Sequence, residues 1–387
     1  MRKNEARWEE SRKRWQIMVQ ADGERQSFSC AKKDYPTCYS SNCSEKCKKG
    51  KISAEKKADK WLESRTISEN TRADIMYDKW IEKLKKSAGK DHWRQYEGFG
   101  KNHIKPVIGS KKIKNWTQND FQDIIDTAYN NPKGKKGKEK LAKKSLINIR
   151  ACLMSFIKYC RYENATKWHP ETLTIPSSAK RSVKTILNIE DIRVLFTVST
   201  TIWRGKRIED KFIHAYRFEL LTGMRPGELI GLHKDGDINN DRVSINRSIN
   251  IHGEITEGKN DNAIRTYTLD RHALRVLDDQ MQMLVQLGWI SPYLFPGHNR
   301  DHIKERTLYN SWKRYCASNG IQNATTPYEL RHTFVSVNTN MPDFLKRLVV
   351  GHSENFDTHG VYGHEKSDDM DKAAEYISEA FSNILGW

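Results

Sequence analysis

The chain reads as an α+β protein, mostly helical, with a small antiparallel sheet in its last third and a small sheet-plus-helix module at its start. Three observations predict this. Apolar residues recur at helical spacing through residues 71–178 and through most of 184–387. Period-two alternation is confined to two short stretches, each punctuated by glycine. The 387 residues include 11 tryptophans and 10% aromatics, enough for two or three separate cores.

At the N-terminus, Arg2-Lys3 and Arg12-Lys13-Arg14 give a basic start. Trp15 to Val19 then reads as a strand, Asp22-Gly23 as a hairpin turn and Gln26 to Cys30 as the return strand. Ser53 can cap a helix with Ala54, Ala58 and Trp61 on one face. These elements make a module over 1–66. Within it, Cys30, Cys38, Cys43 and Cys47 lie among lysines. Four thiols could hold a tetrahedral zinc, although the spacing lacks CxxC knuckles; the alternative is a basic loop with incidental cysteines.

A helical domain is expected over 71–178. Ile75, Trp80, Ile81 and Leu84 make one stripe, and Trp93, Tyr96 and Ile104 begin another. Thr117 can cap a helix carrying Phe121, Ile124 and Ile125. Leu146, Ile149, Leu153, Phe156, Ile157 and Cys160 mark a long fourth helix. The loop before it holds Lys133, Lys135, Lys136, Lys138, Lys140, Lys143 and Lys144 against one acid, Glu139. Such a run is either a solvated face or a set of phosphate contacts.

Pro170, Pro176 and Ser177-Ser178 mark a linker to a last domain over 184–387. Asn188 caps a helix bearing Ile192, Leu195 and Phe196. A second helix ends at Leu221 before the Thr222-Gly223 turn. Val243 to Ile245, Ile249 to Ile251 and Ile264 to Leu269 alternate like strands, with Gly253 and Gly258 as turns. Helices resume to the end, and Ala374, Ile377, Phe381 and Ile384 form an apolar stripe that must be buried somewhere.

Lysine plus arginine number 67 against 49 acids, a net charge of +18, with a pI near 9.4. A polyanionic partner follows, since basic surfaces gain affinity by releasing counterions from nucleic acid. The aromatic content excludes a disordered basic tail as the source of that charge. No stretch approaches the ~18 apolar residues of a membrane span. The first thirty residues lack a signal-peptide core, and the seven cysteines read as reduced thiols, so a cytoplasmic location is expected.

The residues that carry chemistry lie in the last domain. Arg225 sits in Thr222-Gly223-Met224-Arg225-Pro226-Gly227-Glu228-Leu229, at a helix-start loop. Arg331 sits in Tyr328-Glu329-Leu330-Arg331-His332-Thr333. His352 follows in Val350-Gly351-His352-Ser353, and Tyr362 in Val361-Tyr362-Gly363-His364. Singly, each has an ordinary reading: a paired arginine, a core histidine, a half-buried aromatic. Together they form a kit for attacking a phosphodiester. A guanidinium fork matches the non-bridging oxygens and keeps its charge, while a phenolic oxygen can hold a phosphoryl group covalently.

At these residues the chain resembles the tyrosine recombinases, the integrases of phages and conjugative transposons. The resemblance implies that Arg225 and Arg331 clamp the phosphate, that Glu228 orients Arg225, that His352 donates to a phosphate oxygen and that Tyr362 is the nucleophile. Lys259, at the Gly258-Lys259-Asn260 turn, would protonate the departing sugar hydroxyl. The family carries His or Lys where this chain has Tyr328, whose ordinary pKa near 10 makes it a poor base; either Tyr328 substitutes as a neutral hydrogen-bonding group, or water or another side chain shares the task. Residues 1–66 resemble an arm-type DNA-binding module, and 71–178 a core-binding domain.

The implied reaction needs neither metal nor ATP: Tyr362 expels a 5′-hydroxyl, leaving a 3′-phosphotyrosyl link that another strand can reverse. Double-stranded DNA at element ends, a homo-oligomer on that DNA, an excisionase and DNA-bending proteins are the partners implied. So is docking of the C-terminal stripe on a neighbouring protomer. A type IB topoisomerase shares this logic, and a DNA-binding regulator without activity is the reading from another class.

Overall fold

The computed structural model describes residues 5–21, 24–30, 48–65, 67–130, 140–181, 184–256, 264–322, 326–351 and 368–387. The chain divides into two compact units, Met1–Ser182 and Val183–Trp387.

The first unit holds two apolar clusters. In one, strands β1 (Arg7–Glu9), β2 (Arg14–Ala21) and β3 (Glu24–Ser29) form an antiparallel sheet in that order. Trp15, Ile17 and Val19 alternate inward and bury on Ala54 and Ala58 of helix α1 (Lys48–Arg65). Sequence reading misses β1. It also misplaces the start of α1, which begins at Lys48, so Ser53 is a buried interior residue and not a cap. Asp22, Gly23, Cys38, Cys43 and Cys47 lie outside the described residues. Cys30 is buried.

The second cluster is the expected four-rod bundle. Its rods are α2 (Ala73–Ser87), α3 (Lys90–Phe99) continuing through a π turn at Gly100–Ile104 into α4 (Lys105–Ile108), α5 (Gln118–Asn130) and α6 (Lys143–Tyr162). Thr117 caps α5 as expected, its Oγ1 accepting from the Asp120 amide while Asp120 accepts from the Thr117 amide. Every residue of the α6 stripe is buried. On α2 the buried face is Met76, Tyr77, Trp80 and Ile81, and Ile75 lies to one side of it. Among the described residues no helix is long and apolar enough to cross a membrane.

In the second unit Asn188 caps α7 (Ile189–Thr197) by accepting from the Asp191 amide at 2.7 Å. A hairpin that the sequence reading does not contain follows, β4 (Thr200–Trp203) with β5 (Lys206–Glu209). Arg204 and Gly205 make its turn in left-handed conformation. Then come α8 (Ile213–Thr222) and α9 (Pro226–Ile230). The expected single sheet is two separate ones. One is β10-β7-β6, from β6 (Ile238–Asn239), β7 (Arg242–Ile245) and β10 (Arg265–Thr268). The other pairs β8 (Ser248–Ile249) with β9 (Ile255–Thr256). Helices α10 (Arg271–Gln286), α11 (Glu305–Ser318), α12 (Tyr328–Val337), α13 (Asp343–Val350) and α14 (Asp369–Leu385) complete the unit.

α14 corrects one expectation. Its stripe is used within its own unit: Ala373, Ile377 and Phe381 join the core, and Ile384 and Leu385 pack against it. Arg193 of α7 donates to the Ile384 carbonyl at 2.9 Å, and Thr268 of β10 donates to Asp371 at 2.6 Å. The face expected to dock on a neighbouring protomer is therefore filled in cis.

Candidate active site

The site is assembled where α8 ends. Gly223 closes that helix at φ +61°, and a Cβ there would meet the Phe334 ring at 2.4 Å, so the turn requires glycine. Two residues later Arg225 takes the N-cap position of α9, with Pro226 at the first helical position. Glu228, in the first turn, accepts the Arg225 amide at 3.0 Å and the Arg225 guanidinium at 2.6 Å. The side chain that the resemblance casts as an orienter is thus 3% exposed and fixes Arg225 at both ends.

Arg331 comes from the first turn of α12 and is 2% exposed. Its guanidinium donates to the Gly223 carbonyl at 2.7 Å and the Val350 carbonyl at 2.8 Å. Arg225 donates to the Gly351 carbonyl at 2.8 Å. A third arginine, which the sequence reading gave no role, joins them. Arg265 of β10 donates from Nε to the Val349 carbonyl at 2.7 Å and spans both Glu228 oxygens at 3.2 and 2.9 Å. Three guanidiniums therefore hold three successive carbonyls at the end of α13, groups that a helix leaves without internal partners and that carry its negative pole. Gly351, at φ +62°, ends that helix immediately before His352.

Parity was the signal that could have found Arg265. It shares a strand face with buried Tyr267, and an inward-facing arginine must have acceptors waiting for it.

The charges in this cluster are unequal. Burial pushes the Glu228 carboxyl up, but the hydrogen bond and charge of Arg265, then those of Arg225, outweigh it and hold the group below the usual glutamate range. Burial and the Arg225 charge bring Arg331 down to about 10, still protonated at neutral pH. Beneath them lies Glu219 of α8, which is fully buried and has no hydrogen-bond partner for either oxygen among the described residues. Burial raises its carboxyl well above the usual range, against the pull of the Arg331 charge. Among the four hydrogen-bonded side chains of the cradle, three guanidiniums face the single Glu228 carboxylate, an excess of two positive charges.

Tyr328 opens α12, 40% exposed, one turn from Arg331. Its ring meets His332 edge-on, centroids 4.9 Å apart. Lys259, His352 and Tyr362 lie outside the described residues, as do Lys133, Lys135, Lys136 and Lys138. Lys140 stands over the Tyr129 ring at 4.6 Å. Lys143 and Lys144 are not loop residues but the first two of α6, whose first turn holds no acid and whose Ala142 cap offers no side-chain acceptor. Cations at a helix N-terminus oppose its positive pole, and an anion there would relieve that opposition. Among the described residues no cluster of three or more His, Cys, Asp or Glu side chains could hold a metal ion.

Residues 186–367 match the phage integrase family, and residues 75–128 match the N-terminal SAM-like domain of phage integrases. The chain belongs to the phage integrase family, the tyrosine site-specific recombinases. The integrase of transposon Tn1549, solved with transposon right end DNA, shares the fold at 19% identity and a TM-score of 0.60, over 79% of this chain and 98% of that one. A lambda integrase dimer bound to a COC′ core site aligns at 12% identity and 0.53, over 94% and 97%. The lambda integrase tetramer on a Holliday junction aligns at 13% and 0.53, over 91% and 97%. No curated protein sequence matches the chain.

Proposed function

We propose that this recombinase cuts and rejoins duplex DNA at the ends of a mobile element, with Tyr362 as nucleophile and Arg225, Arg331 and His352 around the scissile phosphate. The observation that carries the reading is the convergence of Arg225 and Arg331 at the end of α13, directly before His352. A cradle with two positive charges suits a phosphodiester that gains negative charge as the phenolic oxygen attacks.

In the proposed step the Tyr362 oxygen passes its proton to water and bonds to phosphorus. The bond from phosphorus to the 5′-oxygen breaks, and Lys259 protonates that oxygen. Tyr328 donates a hydrogen bond beside the phosphate, in the place of the family's His or Lys. The 3′-phosphotyrosyl link keeps the bond energy, so a 5′-hydroxyl from a partner strand reverses the step. Lys133, Lys135, Lys136, Lys138, Lys140, Lys143 and Lys144 contact phosphates along the duplex.

The Tn1549 relative was solved on transposon-end DNA and the lambda enzyme as a tetramer on a junction. The first supports element ends as substrate and the second a homo-oligomer as the working form; the reading adds a cytoplasmic location, and an excisionase and DNA-bending proteins that set direction, as the family implies. The chain then works as three domains, 1–66 on arm-type sites, 71–178 on the core site and 184–387 in catalysis.

The test is incubation with nicked element-end DNA, from which the cut strand diffuses away and traps the intermediate. Wild-type protein is expected to give a covalent adduct that survives denaturation, and Tyr362→Phe to bind the DNA yet give none. An adduct on the phenylalanine variant would overturn the assignment.

A further inference from the structure

Arg265 makes three side-chain hydrogen bonds within the site, against two from each proposed phosphate clamp. The Glu228 carboxylate accepts four donors: the amide and one guanidinium nitrogen of Arg225, and two guanidinium nitrogens of Arg265. Four is the full capacity of two carboxylate oxygens. The Nε of Arg265 donates to the Val349 carbonyl. One nearly buried side chain, 8% exposed, thereby ties β10 to α9 and α13. Arg331 holds the next carbonyl along, at Val350, and Arg225 the one after, at Gly351.

We propose that Arg265 is the positioning residue of this site: it saturates Glu228, Glu228 fixes Arg225, and the three arginines together set the end of α13 against the phosphate position. The proposal rests on the recombinase reading above. In this proposal Arg265 acts through Glu228 and is not itself a phosphate clamp. Arginine is required because the task needs two parallel donors for a carboxylate and a third at the edge for a carbonyl, and an ammonium cannot supply that plane of donors.

The role has a signature that a strand anchor would lack. Glu228 is buried, and burial favours its neutral form; the pull of Arg265 is the first thing that opposes it. Without Arg265 the carboxyl takes up a proton at higher pH. The protonated acid loses its charge, and its hydroxyl oxygen accepts only weakly, so the guanidinium loosens. Because Glu228 works as the carboxylate, the defect must deepen as pH falls.

The experiment measures single-turnover cleavage of nicked element-end DNA at saturating protein, between pH 6 and 8, always as the ratio of variant to wild type. The ratio cancels the titration of the nucleophile, which all variants share. Arg265→Gln is expected to cleave ~10²-fold more slowly at pH 8, the scale of a misplaced catalytic group. By pH 6 it should lose about tenfold more as Glu228 protonates. Its DNA affinity should stay within about threefold, since many other phosphate contacts carry the binding. Arg265→Lys restores a charge without the fork, so it should cleave at an intermediate rate with a ratio that is flat in pH. Adding Glu228→Gln to Arg265→Gln should abolish the extra pH dependence.

A wild-type rate for Arg265→Gln would overturn the proposal. So would a ratio unchanged across pH, which reduces Arg265 to a strand anchor, or a loss of cleavage that follows loss of DNA binding. If Arg265→Gln folds poorly, Arg265→Lys decides alone: slowed cleavage at unchanged DNA affinity supports the proposal, and a wild-type rate overturns it. Absence of any adduct from the wild-type protein would instead remove the recombinase reading itself.

Discussion

Arg225, Arg265 and Arg331 sit at 24%, 8% and 2% exposure with their donors committed to backbone carbonyls and Glu228, whereas Lys140 and Lys144 stand exposed with Lys143 half-buried beside them. Both sets are cationic, and Arg225 and Arg331 of the first are offered to the same polyanion as the lysines, with Arg265 holding them through Glu228. They differ in what has been settled before DNA arrives. The arginines are already desolvated and aimed, so little reorganisation remains when a phosphate reaches them. The lysines keep their solvation and their rotamers, so each contributes counterion release and little geometry. Of the two, the buried set can select a transition state, and the exposed set can lengthen the time the duplex stays bound.

The largest break in this comparison should come from Arg225→Lys. The charge remains, but the fork that reaches both Glu228 and Gly351 is lost. Single-turnover cleavage should slow by ~10²–10³-fold, the cost of one transition-state donor, with DNA affinity nearly unchanged. A gel-shift titration beside the cleavage assay checks both halves. The Lys140→Ala, Lys143→Ala, Lys144→Ala triple variant should behave the opposite way. Its affinity should fall, and the slope of log affinity against log salt should lessen by roughly one per lysine removed. Once protein is saturating, its cleavage rate should stay within about threefold of wild type. Affinity measured at several salt concentrations separates this from a folding defect, which would leave the slope as it was.

What the sequence disclosed follows the same division between local and distant causes. The α6 stripe and the Thr117 and Asn188 caps were legible because periodicity and capping depend on neighbours three or four residues away. Arg225 and Arg331 were legible because their surrounding strings match a family, and Glu228 stands where the resemblance put it. Arg265 was passed over because its partners are 37 and 84 residues distant, and only its strand parity hinted at them. The start of α1 was misread because Lys48-Lys49-Gly50 carries no apolar period, so the first capping residue in view was taken instead. The β4–β5 hairpin was missed although Thr200 to Trp203 favour extended backbone and Arg204-Gly205 allow the turn. The C-terminal stripe announced that it would be buried, but nothing in its spacing could say against what. Its own unit supplies the surface.

The central claim is that the arginine cradle exists to neutralise charge on the scissile phosphate. It is tested most directly by removing that charge from the DNA. The measurement is single-turnover cleavage of a substrate in which one non-bridging oxygen of the scissile phosphate is replaced by methyl, with wild-type protein and Arg225→Ala side by side. On ordinary DNA the variant should lag by at least ~10²-fold. On the neutral linkage that gap should shrink by about tenfold or more, because the charge that Arg225 meets is gone. An equal gap on both substrates would contradict the account, and would mean that Arg225 shapes the protein without meeting the phosphate.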